Sequence, residues 1–168
     1  MYEKLFFILS FVLILIISRL IPHPPNFTPI IATAIFGPIF LSSKLYGSAI
    51  TIIAMFISDI FLSFHSYQFI VYVTLISISL LTPIKKNKFS FTIFTLISCI
   101  WFFITTNFAV WILWDYYPKD FEGLLLSYTL AIPFFTNTLL STFLFVIIFW
   151  NLDTLLKKSD FINYLKHV

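Results

Sequence analysis

Apolar residues come in long runs, broken by short polar or proline-rich segments. Six runs stand out, at 5–21, 28–43, 46–64, 67–84, 89–114 and 124–151. A helix crossing a bilayer needs about 20 apolar residues, within a range of about 17–25. The runs predict six helices, since an open sheet cannot satisfy its backbone in lipid. The run at 28–43 is short and holds Pro29, Gly37 and Pro38, so a kinked or partial crossing is expected there. The runs at 89–114 and 124–151 are long enough to tilt or to extend past the bilayer. Residues 153–168 form a mixed-charge tail with room for a short amphipathic helix.

Composition points the same way. The chain has 168 residues, 60% of them hydrophobic and 10% charged, with a mean hydropathy of +1.02. A soluble domain carries about 25% charge. The fold class expected is an all-α integral membrane protein with six transmembrane helices. It divides into one transmembrane domain, 1–152, and a short cytoplasmic tail, 153–168. Cys99 is the only cysteine, which rules out an intramolecular disulfide. The N-terminal run imitates a signal peptide, but Arg19 and prolines follow it instead of small residues. A retained first helix is therefore expected.

The placement of charge sets the orientation. With six spans, one side carries Lys4, Lys44, Lys85, Lys86, Lys88, Lys157, Lys158 and Lys166, and the other carries Arg19 and Lys119. By the positive-inside rule both termini are cytoplasmic, in a multi-pass protein of the bacterial cytoplasmic membrane. The inner lysines suit anionic headgroups, so membrane lipids are expected partners. Nucleic-acid binding has no support in the pattern.

Polar variety gathers at the outer ends. Residues 19–29, RLIPHPPNFTP, hold the only Arg and four of the eight Pro. Such a segment cannot continue a helix, because Pro lacks an N–H and restricts the residue before it. It predicts a shaped connection between the first two helices. Asp59 lies six residues before His65, about 9 Å down from the expected outer end of the third helix. Asn107 lies at a similar depth in the fifth. An intramembrane carboxylate must pair or face water. Arg19 and Asp59 are therefore either a lock between two helices or part of a pocket with Asn107. The triplet Thr105-Thr106-Asn107 is either a clamp between helices or a pocket wall. Trp111, one turn above Asn107, offers a stacking surface. Asn137 lies one turn after Pro133, whose kink frees a carbonyl near Tyr128, Phe134 and Phe135. The expected substrate-binding set is Arg19, His23, Asn26, Asp59, His65, Asn107, Trp111 and Asn137.

Enzyme signals are weak. The chain has no Gly-rich phosphate loop, no zinc-binding H-E-x-x-H and no nucleophile elbow. Ser63 and His65 are two apart and do not face each other on a helix. His23, His65 and Asp59 have no ligand spacing typical of a metal site. No catalytic residue, metal or cofactor is expected.

The segments RLIPHPPNFTPI, ISDIFLSFH, TTNFAVWILWDYYP and YTLAIPFFTN resemble an uncharacterised bacterial family of six-helix membrane proteins with a PHPPNFTP signature. The resemblance covers roughly positions 19–150. More distantly, the layout is similar to the S components of energy-coupling-factor vitamin transporters. That similarity implies a substrate-binding transport subunit and an outer-leaflet pocket for a small vitamin-like solute. It also implies a loop over the pocket and a partner coupling subunit with ATPases. The alternative is a structural or assembly protein with an external docking surface.

Overall fold

The computed structural model describes residues 12–13, 15–83 and 87–158, with side chains to residue 154. Most of the expected first span, Lys4, Lys85, Lys86, Lys166 and the end of the tail lie outside these residues. Among the described residues every regular element is a helix, and there are six. Helix α1 ends at residue 20. It is followed by α2 (Ile30–Phe40), α3 (Lys44–Leu62), α4 (Gln68–Leu81), α5 (Lys88–Leu113) and α6 (Phe121–Lys158).

The central helix is α2. It has apolar residues all round, and every position from Ile31 to Ile39 is buried. A helix apolar on all faces belongs inside other helices, and α2 packs on α3, α4, α5 and α6. Its contact with α3 is set by two glycines. A Cβ on Gly47 would lie 2.2 Å from the Pro38 nitrogen and 2.5 Å from the Gly37 carbonyl carbon. Only backbone meets backbone there, so any side chain at 47 would push the helices apart.

Pro38 carries a second consequence. It has no N–H to give the Ala34 carbonyl one turn back. Ser79 of α4 donates its hydroxyl to that carbonyl at 2.8 Å, wholly inside the bundle. The proline's missing donor is thus replaced from another helix. Next to this point Phe36 packs edge-on against Phe91 of α5 and Phe149 of α6, with ring centroids 5.4 and 5.7 Å apart.

The helices differ in length from the sequence expectation. Helix α2 has 11 residues and α4 has 14, or about 16 and 21 Å at 1.5 Å per residue. Each is shorter than the hydrocarbon core of a bilayer, about 30 Å. Pro29 precedes the first residue of α2, and Ser42 at φ 52° follows its C-cap. The turns at 63–67 and 82–83 limit α4. Three helices, α3, α5 and α6, are long and apolar enough to cross a membrane. Their outer faces are apolar, with Phe56 and Ile60 on α3, Ile97 and Ile104 on α5, and Leu140 and Ile147 on α6 all exposed. Helix α6 runs unbroken through Pro133 to Lys158, past the tail boundary expected at 152. Asp120 starts it, accepting the Gly123 amide at 2.8 Å.

Candidate functional site

The ends of α1, α3 and α5 and the starts of α2, α4 and α6 meet at one end of the bundle around a cavity of about 620 Å³. Arg19, His23, Asn26, Asp59, His65 and Asn107 all line it. Trp111 and Asn137, placed with them from sequence, do not. They hold the cavity's surroundings instead. The Trp111 indole donates to the Pro118 carbonyl at 2.8 Å and braces the connection between α5 and α6. The Asn137 amide donates to the Pro25 carbonyl at 2.9 Å and ties the proline-rich segment to α6.

That segment is shaped by a turn. Phe27 donates its amide to the Pro24 carbonyl at 2.9 Å, and Asn26 sits at φ 61°. Proline at the second position and a positive φ at the third make a type II turn, which Asn tolerates better than most residues. The sequence PPNF therefore encodes the loop's bend, and the latch from Asn137 fixes where it lies.

The polar wall is built on Asp59. Arg19 reaches from α1 and pairs with Asp59 Oδ1 at 2.6 Å. Tyr72 donates its hydroxyl to Oδ2 at 2.6 Å, and Gln68 donates its amide to the same oxygen. Both carboxylate oxygens are thereby engaged, and Asp59 is 1% exposed. Arg19 also donates to the Met55 carbonyl at 3.1 Å and to the Ser58 hydroxyl. Gln68 and Tyr72 were not expected from sequence. They belong to α4, and α3 ends at Leu62 rather than near His65. The tight turn at 63–67, with Ser63 at φ 74°, brings Gln68 back over Asp59. The one available signal was Gln at the start of an apolar run, four residues before Tyr on the same helical face.

The fifth helix divides the polar triplet between both of its expected roles. Thr105 lies 3.0 Å from Thr74 of α4, hydroxyl to hydroxyl, and clamps the two helices. Thr106 and Asn107 line the cavity. The Asn107 amide bonds its own helix at the Phe103 carbonyl, 2.8 Å away, which orients its oxygen. Aromatic rings of α5 and α6 line the cavity beside them. Phe103 and Phe135 lie with ring centroids 4.6 Å apart, beside Phe102 and Phe134.

His65 lies in the exposed turn after α3, against Tyr67 and Trp114. Lys119 closes the C-terminus of α5 by donating to the Trp111 and Trp114 carbonyls, a placement favoured by the helix dipole. Among the described residues no three His, Cys, Asp or Glu side chains converge.

These features define an all-helical protein, with helices long enough to cross a membrane and, at one end, a cavity lined by polar, aromatic and aliphatic side chains. The chain belongs to a family of unknown function, DUF6580, which matches residues 1–163. No curated protein and no solved structure matches it.

Proposed function

We propose that the protein is a multi-pass membrane protein that captures a small solute in this cavity, as the substrate-binding part of a transport system. The observation that carries the reading is the cavity itself. Its volume of about 620 Å³ falls inside the range of small-molecule sites, about 300–1,000 Å³. A loop lies over it, and both polar groups and aromatic rings line it. The exposed apolar faces of α3, α5 and α6 support residence in lipid. The lysine bias supports cytoplasmic termini and a cavity open to the outside, in a bacterial inner membrane. By analogy with the S components that the sequence layout resembles, the solute would sit under the loop joining the first two helices. A coupling subunit with ATPases is the corresponding partner.

Native mass spectrometry of protein purified gently from its own host tests this. A co-purifying small molecule is the expected result. Repeated preparations carrying no small molecule would contradict the reading. A second reading, a docking surface for another membrane protein, draws on the exposure of Tyr116 and Phe121 near the same end. A photo-crosslinker at Phe27 would then capture a protein partner.

A further inference from the structure

Asp59 engages one end of the Arg19 guanidinium and leaves the other free. The contacts of Arg19 to Met55, Ser58 and Asp59 are all made through Nη1. A guanidinium has five N–H donors in a planar fork. Those on Nε and Nη2 have no partner among the described residues. These two atoms form one edge of the fork, and such an edge meets a carboxylate through two parallel hydrogen bonds. Arg19 lines the main cavity and also a smaller neighbour of about 170 Å³.

The Arg19–Asp59 pair is neutral as a whole but presents its positive end. The Arg19 side chain is 14% exposed and that of Asp59 1%. Both Asp59 oxygens already hold donors, so neither is left to receive a cation. The other acidic groups at this end of the bundle do not line the cavity. Asp115 stands in solvent with Lys119 3.8 Å away, Asp120 accepts the Gly123 amide, and Glu122 is exposed at the start of α6.

The other ionisable groups on the lining are His23 and His65 and the Tyr67 and Tyr117 phenols. His23 lines both chambers with Arg19. Its Nδ1 lies 2.8 Å from the Pro24 carbonyl. A carbonyl only accepts, so Nδ1 carries the hydrogen, and Nε2 has no partner among the described residues. A cation entering the cavity would meet the free edge of a guanidinium and no open carboxylate. An anion would meet matched donors. The rest of the contact is apolar, since Phe102, Phe103, Phe134 and Phe135 line the same cavity.

We propose that the cavity takes a carboxylate-bearing solute with an apolar body. The Nε–Nη2 edge of Arg19 grips the carboxylate, and the phenylalanine rings pack on the body. The proposal rests on the solute-capture reading and names its ligand class. Three probes share one body and differ in head group: 3-phenylpropionate, 3-phenylpropionamide and 3-phenylpropylammonium. Ligand-observed NMR compares them on the full chain in nanodiscs of zwitterionic lipid, with empty nanodiscs subtracted. The carboxylate is expected to bind more tightly than either other probe by about tenfold, the scale of one charge-assisted hydrogen bond. Arg19→Lys keeps a cation beside Asp59 but has no fork, and should weaken the carboxylate by about tenfold while leaving the amide unchanged. The neutral double variant Arg19→Met/Asp59→Leu should bind carboxylate and amide alike.

Equal or tighter binding of the amide or the ammonium by the wild type would overturn the proposal and leave a solute cavity standing. A carboxylate preference that survives in the neutral double variant would also overturn it, because the preference would then come from elsewhere. The probe comparison needs only the wild-type chain, so a variant that fails to fold leaves the test intact. Binding of none of the three overturns the proposal too, while the native mass measurement decides the solute reading separately.

Discussion

Asp59 is costly to bury, and its neighbours show how that cost is met. Arg19, Tyr72 and Gln68 supply donors to both oxygens. Removing one member of a buried ion pair strands the other, at a cost of about 3–5 kcal/mol. Asp59→Ala should therefore lower stability by about that amount, read as thermal unfolding in detergent. The double variant Arg19→Met/Asp59→Leu should recover most of it. Asn107 differs, because its amide bonds only its own helix. Asn107→Ala should leave the melting temperature within a few degrees and weaken solute binding. At Asn26 the demand is conformational, since φ is 61°. Asn26→Val should destabilise by about 1–2 kcal/mol, the penalty for a side chain forced into the left-handed region; Asn26→Gly should not.

At the scale of elements, α2 and α4 pack through apolar side chains and are joined by one side-chain hydrogen bond, from Ser79 to the Ala34 carbonyl. Ser79→Ala leaves the Ala34 carbonyl buried with no donor and should cost about 1–3 kcal/mol. Adding Pro38→Ala returns an N–H to that carbonyl, so the double variant should be less destabilised than Ser79→Ala. A double-mutant cycle on unfolding free energies checks this. The crossing of α2 and α3 tolerates nothing at position 47, and Gly47→Ala should be more destabilising than either change. How much could be foreseen depended on the kind of contact. Arg19 meeting Asp59 was legible, because a carboxylate inside an apolar run demands a partner. The shortness of the second run was legible, although α2 runs through Gly37 and Pro38 to Phe40. Gln68, Tyr72 and Ser79 were hidden, because their roles depend on which helices are neighbours and in what register. A run of apolar residues does not specify either. Asn137 was singled out for its place after Pro133, but its partner, the Pro25 carbonyl, lies 112 residues away in sequence.

Over the whole molecule, the two ends of the bundle differ. One is packed with rings around Phe36, and the other opens into the cavity beneath the proline-rich loop. The proposed orientation puts the second end outside the cell. Cys99 is fully buried, so it contributes little background to thiol labelling. A cysteine at Tyr116 should react with a membrane-impermeant maleimide on intact cells, and one at Lys88 only after permeabilisation. The reverse pattern would invert the topology. The central claim is that a solute occupies the cavity, and Ala131 offers a way to block it. Ala131 is buried on α6 and lines the cavity, so Ala131→Phe fills space without adding charge. Wild type and Ala131→Phe, each in nanodiscs, would be incubated with a metabolite extract of the host, washed, and the retained small molecules weighed by mass spectrometry. A molecule retained by the wild type and lost from the folded variant is the expected result. Identical retention by both, or retention of nothing by the wild type, would contradict the account.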